Sequence, residues 1–495
     1  MPARDDAQLG EWIERQYRYA ATAMLPSFSA VNIVKHRPGF GQTVRPKKGS
    51  IVASPVLAAY DPDPDYFFHW FRDSAVVIDA LRLVLADGGI TAAAALEYFH
   101  DFVQFSLSLL TLDGRSLVSS SGWRAGVQPD FAKFIRTDAD LGAVHGGLVS
   151  AEARVNPDAT LDISNWARPQ HDGPPLRLLS VLRWVRDVTF EPTLGAAVAQ
   201  LLRADIAFTR GRWRIPSFDI WEEEKGQHYY TLRVAAEALE EGARWLESRA
   251  GLGGRGDTKG GTQGDAIGPT QGDAAADTEE ARLCRADSRA ILTMLDGYWL
   301  EDAGYYRSRV LEGGAPTSKE LDIAVIFAAI HGAGAAGHGG AHYVADTAAH
   351  ATAHSVHDPR MQSTLSRLEA LFDAEYPLNR NRPAGRGPAL GRYKGDVYYS
   401  GGAYYFSTLA AAEFCFRAAV GTHAESAEGR AFVERGNAYL ETVRTYTPAS
   451  GDMSEQFDQK TGVQTSARHL AWSYAAFISS VVARRDAYRH LGLHL

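Results

Sequence analysis

The sequence has few cysteines, no excess of positive charge and no long apolar run, and each shortage excludes a class of protein. Two cysteines, Cys284 and Cys415, occur in 495 residues, so a disulfide framework is excluded, although one bridge between the two stays open. Both lie in apolar helical patterns, which predicts two buried thiols. A net charge of −8 supplies no basic field, so we expect no binding to nucleic acid or to an anionic membrane.

The apolar residues are spread along the chain in short runs. Runs such as Ala75–Ile78 and Leu83–Ala86 are interrupted by Asp79 and Arg82, and none approaches the roughly 20 residues that a membrane-spanning helix needs. The charged N-terminus leads directly into an amphipathic segment, without the apolar core and cleavage site of a secretory signal. With 45% hydrophobic and 22% charged residues, we expect a soluble globular protein in the cytoplasm.

Apolar residues recur three and four positions apart in twelve segments, which predicts twelve helices. These segments are Leu9–Leu25, Ser74–Ala86, Ala92–Leu110, Pro175–Arg186, Leu194–Thr209, Tyr229–Ser248, Thr278–Asp296, Leu321–Ile330, Gln362–Ala374, Tyr404–Val420, Ala427–Tyr446 and Ala467–Tyr488. Strand signals are few and short, and no fixed repeat period indicates a regular solenoid. Helices in this number, with long loops between alternate pairs, predict an all-α toroid of helical hairpins.

Two stretches differ in composition from the rest of the chain. Gly251–Asp277 is rich in Gly, Asp, Thr and Gln, which predicts a flexible loop inserted within a single domain of residues 1–495. Gly332–His357 is rich in Gly, Ala and His, and His350 and His354 would share one helix face as a possible metal pair. No acidic or cysteine ligand completes that pair, so we predict a solvated polar face and no metal site.

The segment Phe218–Gly226 carries the residues best suited to chemistry. It contains three adjacent glutamates, Glu222 to Glu224, next to a tryptophan. Acid–base chemistry on a sugar needs a carboxylic acid that an apolar wall keeps protonated, and a second carboxylate on the other face of the ring. The candidates for the second group are Glu455 and Asp458. By themselves three glutamates are typical of a solvated helix start, and in a helical turn their side chains diverge by about 100°, so they cannot share one role.

Four further loops contain the residue types that bind sugars. Arg72 and Asp73 can bond sugar hydroxyls, and Tyr66 and Trp70 beside them offer aromatic surface; an ordinary helix cap over core aromatics is the alternative. The others are Asn165–Pro174, with Trp166 and Arg168, Gly391–Tyr404, with Arg392 and Tyr398, and Gly451–Tyr474, with Glu455 and Trp472. Each leads into a helical pattern, and loops on one rim of a helical toroid converge on a common cavity.

The order of these motifs resembles that of the inverting glucoamylases of glycoside hydrolase family fifteen, whose members share an (α/α)6 barrel. The motifs that carry the resemblance are Ile51–Pro55, Pro64–Phe67, Trp70–Ser74, Trp166–Gln170, Asp172–Pro174, Asp219–Glu223, Gly391–Tyr393, Met453–Asp458, Ser466–Arg468 and Trp472–Tyr474. They cover roughly residues 10–485, which is nearly the whole chain. Departures from the fungal members at Phe218, Glu224 and Tyr404 leave the preferred linkage open.

The resemblance implies a role for each matching residue. Glu222 would be the general acid and Glu455 the general base that activates water, with their carboxyl groups about 6.5–9.5 Å apart. The residues implied in substrate binding are Tyr66, Trp70, Arg72, Asp73, Trp166, Arg168, Asp219, Trp221, Glu223, Arg392, Tyr398 and Trp472. Two carboxylates and an ordered water suffice for hydrolysis, so no metal or organic cofactor is expected.

The implied activity is the release of β-glucose from the non-reducing ends of malto-oligosaccharides or α-glucans. Glucodextranase and trehalase activities are alternatives within the same family. A catalytically silent carbohydrate-binding regulatory barrel and an inverting phosphorylase are alternatives from other classes, and the presence of both Glu222 and Glu455 argues against them. The sequence gives no indication of an oligomeric state.

Overall fold

The computed structural model describes residues 2–58, 63–120, 122–253, 271–333, 353–424 and 426–494. These ranges contain fourteen α-helices. Their bounds are α1 Pro2–Met24, α2 Phe71–Ala86, α3 Ala92–Leu109, α4 Gly114–Ser119, α5 Asp138–Gly142, α6 Gly173–Asp187, α7 Pro192–Arg212, α8 Tyr229–Gly253, α9 Gln271–Asp296, α10 Ala324–His331, α11 Pro359–Glu375, α12 Tyr405–Val420, α13 Ala427–Tyr446 and α14 Ala471–His490. Each of the twelve predicted segments corresponds to one of these helices, whereas α4 and α5 are too short to show a helical period.

Six helices form a closed inner ring. Helices α2, α6, α8, α10, α12 and α14 contact one another in that order, and α14 in turn contacts α2. Their residues are buried on every face, as in α12, where Phe406, Leu409 and Cys415 point in different directions and are all inaccessible to solvent. A helix that is apolar all round must be surrounded by protein. The inner ring is therefore the core of the barrel.

The other six long helices form an outer ring. Helix α1 packs on α14, and α3, α7, α9, α11 and α13 pack on α2, α6, α8, α10 and α12 respectively. They are amphipathic, with one buried and one exposed face, as expected for helices that cover a core. Because the chain alternates between the rings, each outer helix returns it to the same end of the barrel. All six inner helices consequently begin at one end, and the structure is the (α/α)6 toroid that the sequence predicted.

Short antiparallel strands connect the loops at the end of the barrel where the inner helices begin. The strands are β1 Lys35–Arg37, β2 Gln42–Val44, β3 His69–Trp70, β4 Arg154–Asn156, β5 Thr160–Leu161, β6 Ser217–Phe218, β7 Lys225–His228, β8 Trp299–Leu300, β9 Tyr305–Tyr306, β10 Arg309–Leu311, β11 Ala403–Tyr404, β12 Gln456–Phe457 and β13 Gln464–Thr465. They pair as β1-β2, β8-β9 and three sheets of order β3-β4-β5, β6-β7-β10 and β11-β12-β13. In each three-stranded sheet one strand runs directly into an inner helix: β3 into α2, β7 into α8 and β11 into α12.

The two stretches of unusual composition are only partly described. Residues 254–270 and 334–352, which include His338, His342 and His350, lie outside the described residues. The prediction of a loop up to Asp277 is wrong at its end, because α9 already begins at Gln271 and buries Asp277 against Arg203, with 2.9 Å between carboxylate and guanidinium.

Three other predictions concern single side chains and membranes. His354 is 1% exposed and its Nδ1 lies 2.8 Å from the Tyr229 hydroxyl, so the predicted solvated face is wrong for this residue. Cys284 and Cys415 are both free and buried, as predicted, and burial raises the pKa of each thiol to about 12. None of the helices in the described ranges combines the length and apolarity of a membrane span.

The approach of α6 to α2 leaves no room for a side chain at Gly173. A Cβ atom there would lie 2.5 Å from Cβ of Phe71 and 3.5 Å from the backbone nitrogen of Arg72. We expect Gly173→Ala to lower the free energy of unfolding by about 1–3 kcal/mol through overpacking, measured by chemical denaturation. Gly195→Ala in α7, where nothing lies within 4 Å of the added atom, is the control and should stabilise by up to about 1 kcal/mol. Equal effects of the two substitutions would contradict this account of the packing.

Candidate active site

The loops at the start of the inner helices enclose a cavity of about 240 Å³. It is lined by Tyr66, Trp70, Arg72, Asp73, Trp166, Ile220, Trp221, Glu222, Glu223, Arg392, Tyr398, Phe406, Glu455, Leu470 and Trp472. Twelve of the fourteen residues predicted for the site are in this lining, and Arg168 and Asp219 are not. Sequence reasoning missed the three apolar members, Ile220, Phe406 and Leu470, because an apolar residue that lines a cavity cannot be distinguished from a core residue in a sequence.

Glu222 lies in the loop of the β6–β7 hairpin and not in a helical turn. Phe218 pairs with Lys225, which leaves the six residues between them to make the connection. The Glu222 backbone takes the left-handed conformation, with φ of 67°. Its carboxylate accepts hydrogen bonds from the indole N–H of Trp70 at 2.8 Å, from that of Trp166, and from Nη2 of Arg72 at 3.4 Å. The carboxylate thus has three donors and an aromatic wall.

The two glutamates that follow have different partners. Glu223 accepts from Nη2 of Arg392 at 3.1 Å and from Nζ of Lys319 at 2.5 Å. Glu224 points away from the cavity. It accepts from Nη1 of Arg309 at 2.9 Å and from the Thr317 hydroxyl at 3.0 Å. The three adjacent carboxylates therefore cannot share one role, as the sequence indicated, although a hairpin loop rather than a helical turn separates them.

Asp219, the first residue of the loop that carries Glu222, stabilises this loop from outside the cavity. Its Oδ1 accepts the backbone N–H groups of Glu223 at 2.8 Å and Glu224 at 2.9 Å, and its Oδ2 lies 3.0 Å from Nη1 of Arg309. Burial alone would raise the pKa of Asp219, but the Arg309 charge and the two backbone donors lower it below its usual value. Asp219 is thus an ionised structural carboxylate that shapes the loop without lining the cavity.

Glu455, a candidate for the second catalytic carboxylate, also lines the cavity and lies immediately before β12. Its Oε2 accepts a hydrogen bond from the Ser466 hydroxyl, and its Oε1 lies 3.2 Å from the Tyr66 hydroxyl, which is itself 2.9 Å from that of Tyr398. Burial raises the pKa of Glu455 to about 7, against the opposing effects of Ser466, Arg392 and Tyr66. Glu455 therefore exchanges its proton close to neutral pH.

Asp458, the other candidate for the second carboxylate, has a local role. It accepts the backbone N–H groups of Lys460 at 2.9 Å and Thr461 at 2.7 Å. An aspartate bonded to backbone donors two and three residues ahead closes a turn. This contact pattern leaves Glu455 as the candidate from its motif.

Two aromatic rings lie between the carboxylates of Glu222 and Glu455. Tyr66 bonds to Glu455 and Trp70 bonds to Glu222, and the centroids of the two rings are 5.2 Å apart. Both rings belong to the segment that leads into α2 and both line the cavity. The two carboxylates are thus held apart by a rigid aromatic spacer and face the same space.

Arg72 and Asp73 form a polar wall at the start of α2. Nη1 of Arg72 donates to Gln170 at 3.1 Å and to Asp172 at 3.0 Å, which locks the guanidinium in place. Burial raises the pKa of Asp73 to about 6, and within the described part of the chain its Oδ2 has no hydrogen-bond partner. A buried acceptor without a partner is costly, so this oxygen is suited to receive a hydroxyl group of a ligand.

Gln170 and Asp172 belong to two of the family motifs but are not among the predicted site residues. Both accept hydrogen bonds from Arg72 and lie just before α6. The sequence feature that could have identified them is their position directly before a proline-rich helix start, where the loop has a restricted conformation.

The remaining predicted residues complete the lining of the cavity. Arg392 makes two bonds of 2.6 Å to Asp396, and its Nη2 reaches Glu223. Trp472 stacks on Phe406 with 4.5 Å between ring centroids. Trp221 donates its indole N–H to Asp322 at 2.8 Å, so its ring lines the cavity while its polar edge points outward.

Arg168 lies outside the cavity lining. Its guanidinium is bonded to Glu152 at 2.6 Å and to Asp162 at 2.9 Å. Asp162 also bonds Arg154 at 2.9 Å, and the Arg154 guanidinium lies 3.7 Å from the centroid of the Trp166 ring. Arg168 therefore supports Trp166 through a buried ion network, and these contacts do not favour its predicted place in substrate binding.

A larger cavity, of about 480 Å³, lies elsewhere in the described structure. It is bounded by the β1–β2 and β4–β5 hairpins and by Leu112, Leu117 and Trp123. Its single carboxylate, that of Asp113, is paired with Arg115 at 2.7 Å. Because it has no second carboxylate, it cannot support acid–base chemistry between two such groups. Among the described residues, no three His, Cys, Asp or Glu side chains are grouped as a metal site.

The Ser466 hydroxyl controls the ionisation of Glu455. Its hydrogen bond stabilises the carboxylate, and a bond to a charged group contributes about 1.5 kcal/mol, which corresponds to a pKa difference of about one. We expect Ser466→Ala to raise the pKa of Glu455 by about that amount, measured by ¹³C NMR titration with labelled glutamate. Glu455→Gln assigns the resonance, and an unchanged midpoint would contradict this role of the serine.

Comparison with known proteins identifies relatives of the whole barrel. A family model described as glycosyl hydrolases family 15 matches residues 137–482. The glucoamylase of Neurospora crassa is 25% identical over 88% of this chain and 63% of that protein, and glucoamylase-1 of Arthroderma benhamiae is 27% identical over 89% and 65%. The chain thus spans slightly less than two thirds of the length of these curated relatives.

Solved structures show the same fold. The family 15 glucoamylase of Hypocrea jecorina has a TM-score of 0.70 at 22% identity, covering 96% of this chain and 72% of that one. The glucoamylase of Saccharomycopsis fibuligera has a TM-score of 0.70 at 17% identity, covering 97% and 96%. At these identities the likeness concerns the fold, and it confirms the predicted (α/α)6 barrel.

Proposed function

Because the chain belongs to glycosyl hydrolases family 15, we propose that it is an inverting exo-acting glucoamylase. It releases β-glucose from the non-reducing ends of malto-oligosaccharides or α-glucans. The observation that carries this proposal is that two of the carboxylates lining one cavity lie in different environments, Glu222 among indole donors and Glu455 among hydroxyls. Inverting hydrolysis needs such a pair, one to protonate the leaving oxygen and one to activate water.

Glu222 is the general acid in this proposal. Its carboxyl proton passes to the glycosidic oxygen as the bond between that oxygen and C1 breaks. The carboxylate left behind is stabilised by the indole N–H groups of Trp70 and Trp166 and by Arg72. Donors already aimed at the position where charge develops lower the barrier without reorganisation.

Glu455 is the general base. It takes a proton from a water molecule whose oxygen bonds to C1 from the face opposite the leaving group, which inverts the anomeric configuration. A pKa of about 7 suits a base that works near neutral pH. Because the base must be ionised, activity should be lost as the pH falls through this value. Tyr66 and Ser466 keep its oxygens in place.

The remaining lining residues bind the terminal glucose unit. Arg72 offers a donor to sugar hydroxyls, Asp73 offers an acceptor that has no hydrogen bond in the described structure, and Trp472 offers aromatic surface to a C–H face. A volume of about 240 Å³ is below the roughly 300–1,000 Å³ of sites for drug-sized molecules, which favours one terminal sugar at a time. This limit supports the exo action that the proposal assigns.

We extend the proposal to the organisation of the chain. Residues 1–495 form one catalytic domain, and the chemistry requires neither a metal nor an organic cofactor. The cytoplasmic location remains a prediction. Glucodextranase and trehalase activities differ in the linkage cleaved and not in the two carboxylates, so they are decided by substrate.

Proton NMR of the first product is the direct test of this function. With maltotriose we expect β-glucose as the initial anomer, without a requirement for phosphate. Parallel reactions with isomaltotriose and trehalose identify the preferred linkage. A requirement for phosphate would favour a phosphorylase, initial α-glucose would contradict inversion, and no release from any substrate would favour a silent carbohydrate-binding barrel.

Substrates that differ in leaving group separate the roles of the two carboxylates. Glu222→Gln should reduce kcat on maltotriose by about 10²–10⁴-fold, with a much smaller loss on α-glucosyl fluoride, because fluoride departs with little need for a proton. Glu455→Gln should reduce both rates, since water must be activated in either reaction.

Glu312→Gln is the matched control for these variants. Glu312 is an exposed glutamate outside the cavity lining. It forms an ion pair at 3.5 Å with Lys225, which lies in the hairpin that carries Glu222. Its rates should equal those of the unaltered protein. Near-normal turnover of maltotriose by Glu222→Gln or Glu455→Gln would contradict the assignment of that residue.

A further inference from the structure

One buried arginine, Arg309 at the start of β10, holds both ends of the loop that carries Glu222. Nη1 of Arg309 lies 3.0 Å from Asp219 and 2.9 Å from Glu224, the first and last residues of that loop. Nη2 bonds to Asp322, and Nε donates to the Ser308 hydroxyl at 3.0 Å. The guanidinium is only 1% exposed and is not part of the cavity lining. It therefore acts on the cavity only through its partners.

These contacts close the loop into a fixed shape. Asp219 accepts the backbone N–H groups of Glu223 and Glu224 through Oδ1, while Oδ2 is held by Arg309. Within the loop the Glu222 N–H donates to the Asp219 carbonyl at 2.9 Å, and the Asp219 N–H donates to the Glu224 carbonyl at 3.1 Å. A non-glycine residue keeps a left-handed backbone, as Glu222 does, only when its surroundings over-determine it.

A second arm of the same network fixes the neighbouring tryptophan. Asp322 accepts the Trp221 indole N–H, at 3.0 and 2.8 Å from its two oxygens, and also accepts the Ala324 N–H at the start of α10 at 2.8 Å. Because Arg309 bonds the same carboxylate, it links Trp221 to an inner helix. Both cavity residues at the tip of the loop, Trp221 and Glu222, thus depend on one guanidinium.

The guanidinium is the group that this arrangement requires. Three carboxylates converge on it, and two of them, Asp219 and Asp322, are almost fully buried. A planar fork with several fixed donors can bond three partners at once, whereas the ammonium of lysine is a single point charge on a flexible stem. Burial raises the pKa of Asp322 to about 6 even beside this cation.

We propose that Arg309 is a positioning residue that holds Glu222 where it can deliver its proton to the glycosidic oxygen. This inference rests on the proposed function, because it assumes that Glu222 is the general acid. Glu224, the third of the adjacent glutamates, binds Arg309 at the end of the loop, and its role therefore lies outside the cavity. Loss of Arg309 should impair proton delivery more than the binding of the terminal sugar, whose partners Arg72 and Asp73 lie on α2.

The test compares Arg309→Met and Arg309→Lys on two substrates. On maltotriose we expect kcat of Arg309→Met to fall by about 10–100-fold, the scale of a misplaced catalytic group, with KM changed by much less. On α-glucosyl fluoride, which needs little protonation, the loss should be several-fold smaller. Arg309→Lys should recover only part of the maltotriose activity, because it restores the charge but not the fork.

Arg177→Met is the matched control. Arg177 is another buried arginine, 1% exposed and bonded to Asp205 at 2.9 and 2.6 Å between α6 and α7, and it does not contact the loop. Its loss should lower thermal stability while leaving the ratio of the two substrate rates unchanged.

Equal losses on both substrates in Arg309→Met, or no loss on maltotriose, would overturn the positioning role. If Arg309→Met does not fold, Arg309→Lys and Glu224→Gln decide the question, since each should show a smaller loss with the same preference for the fluoride. Glu222→Gln separates this inference from the proposed function. Full activity of that variant would refute the function itself, whereas an inactive Glu222→Gln beside a normal Arg309→Met would refute only the inference.

Discussion

The burial of ionised side chains at one end of the barrel is the constraint on which the rest of the structure depends. Asp73, Asp219 and Glu455 are almost inaccessible to solvent there, and a buried carboxylate is stable only if donors or cations surround it. Two inner helices supply such stabilisation at their starts: Asp73 lies in the first turn of α2, and Asp322 accepts the Ala324 N–H at the start of α10. The start of an inner helix is thus also a favourable position for an acidic side chain.

Glu222 and Glu455 show how environment separates residues of the same type. Glu222 is surrounded by rigid N–H donors, which favour a carboxylate once its proton has left. Glu455 is buried among hydroxyl groups that can both donate and accept, and its pKa is raised to about 7. One environment suits the release of a proton and the other suits its uptake, and both are made by aromatic and polar side chains of several loops.

The short sheets give these loops their precision. Each of the three-stranded sheets pairs a strand that enters an inner helix with a strand from a distant part of the chain, as Trp70 with Arg154, His228 with Arg309 and Tyr404 with Gln456. Backbone pairing fixes the ends of a loop, and ion networks such as that of Arg309 fix its interior. A site built on loops thereby acquires the rigidity of the helical scaffold beneath it.

The sequence by itself determined the twelve long helices and the ordered motifs, because apolar periodicity and residue type are local properties. It therefore indicated the toroid, and the family resemblance of the motifs implied the pair Glu222 and Glu455 and most of the cavity lining. The tertiary structure decided the rest. It placed the three glutamates in a hairpin loop and Arg168 in a buried ion network. It also brought Arg309 and Ser466 within hydrogen-bond distance of Glu224 and Glu455 respectively. The physical reason is that the direction of a loop side chain depends on its partners, and the guanidinium that holds Glu224 comes from Arg309, 85 positions farther along the chain.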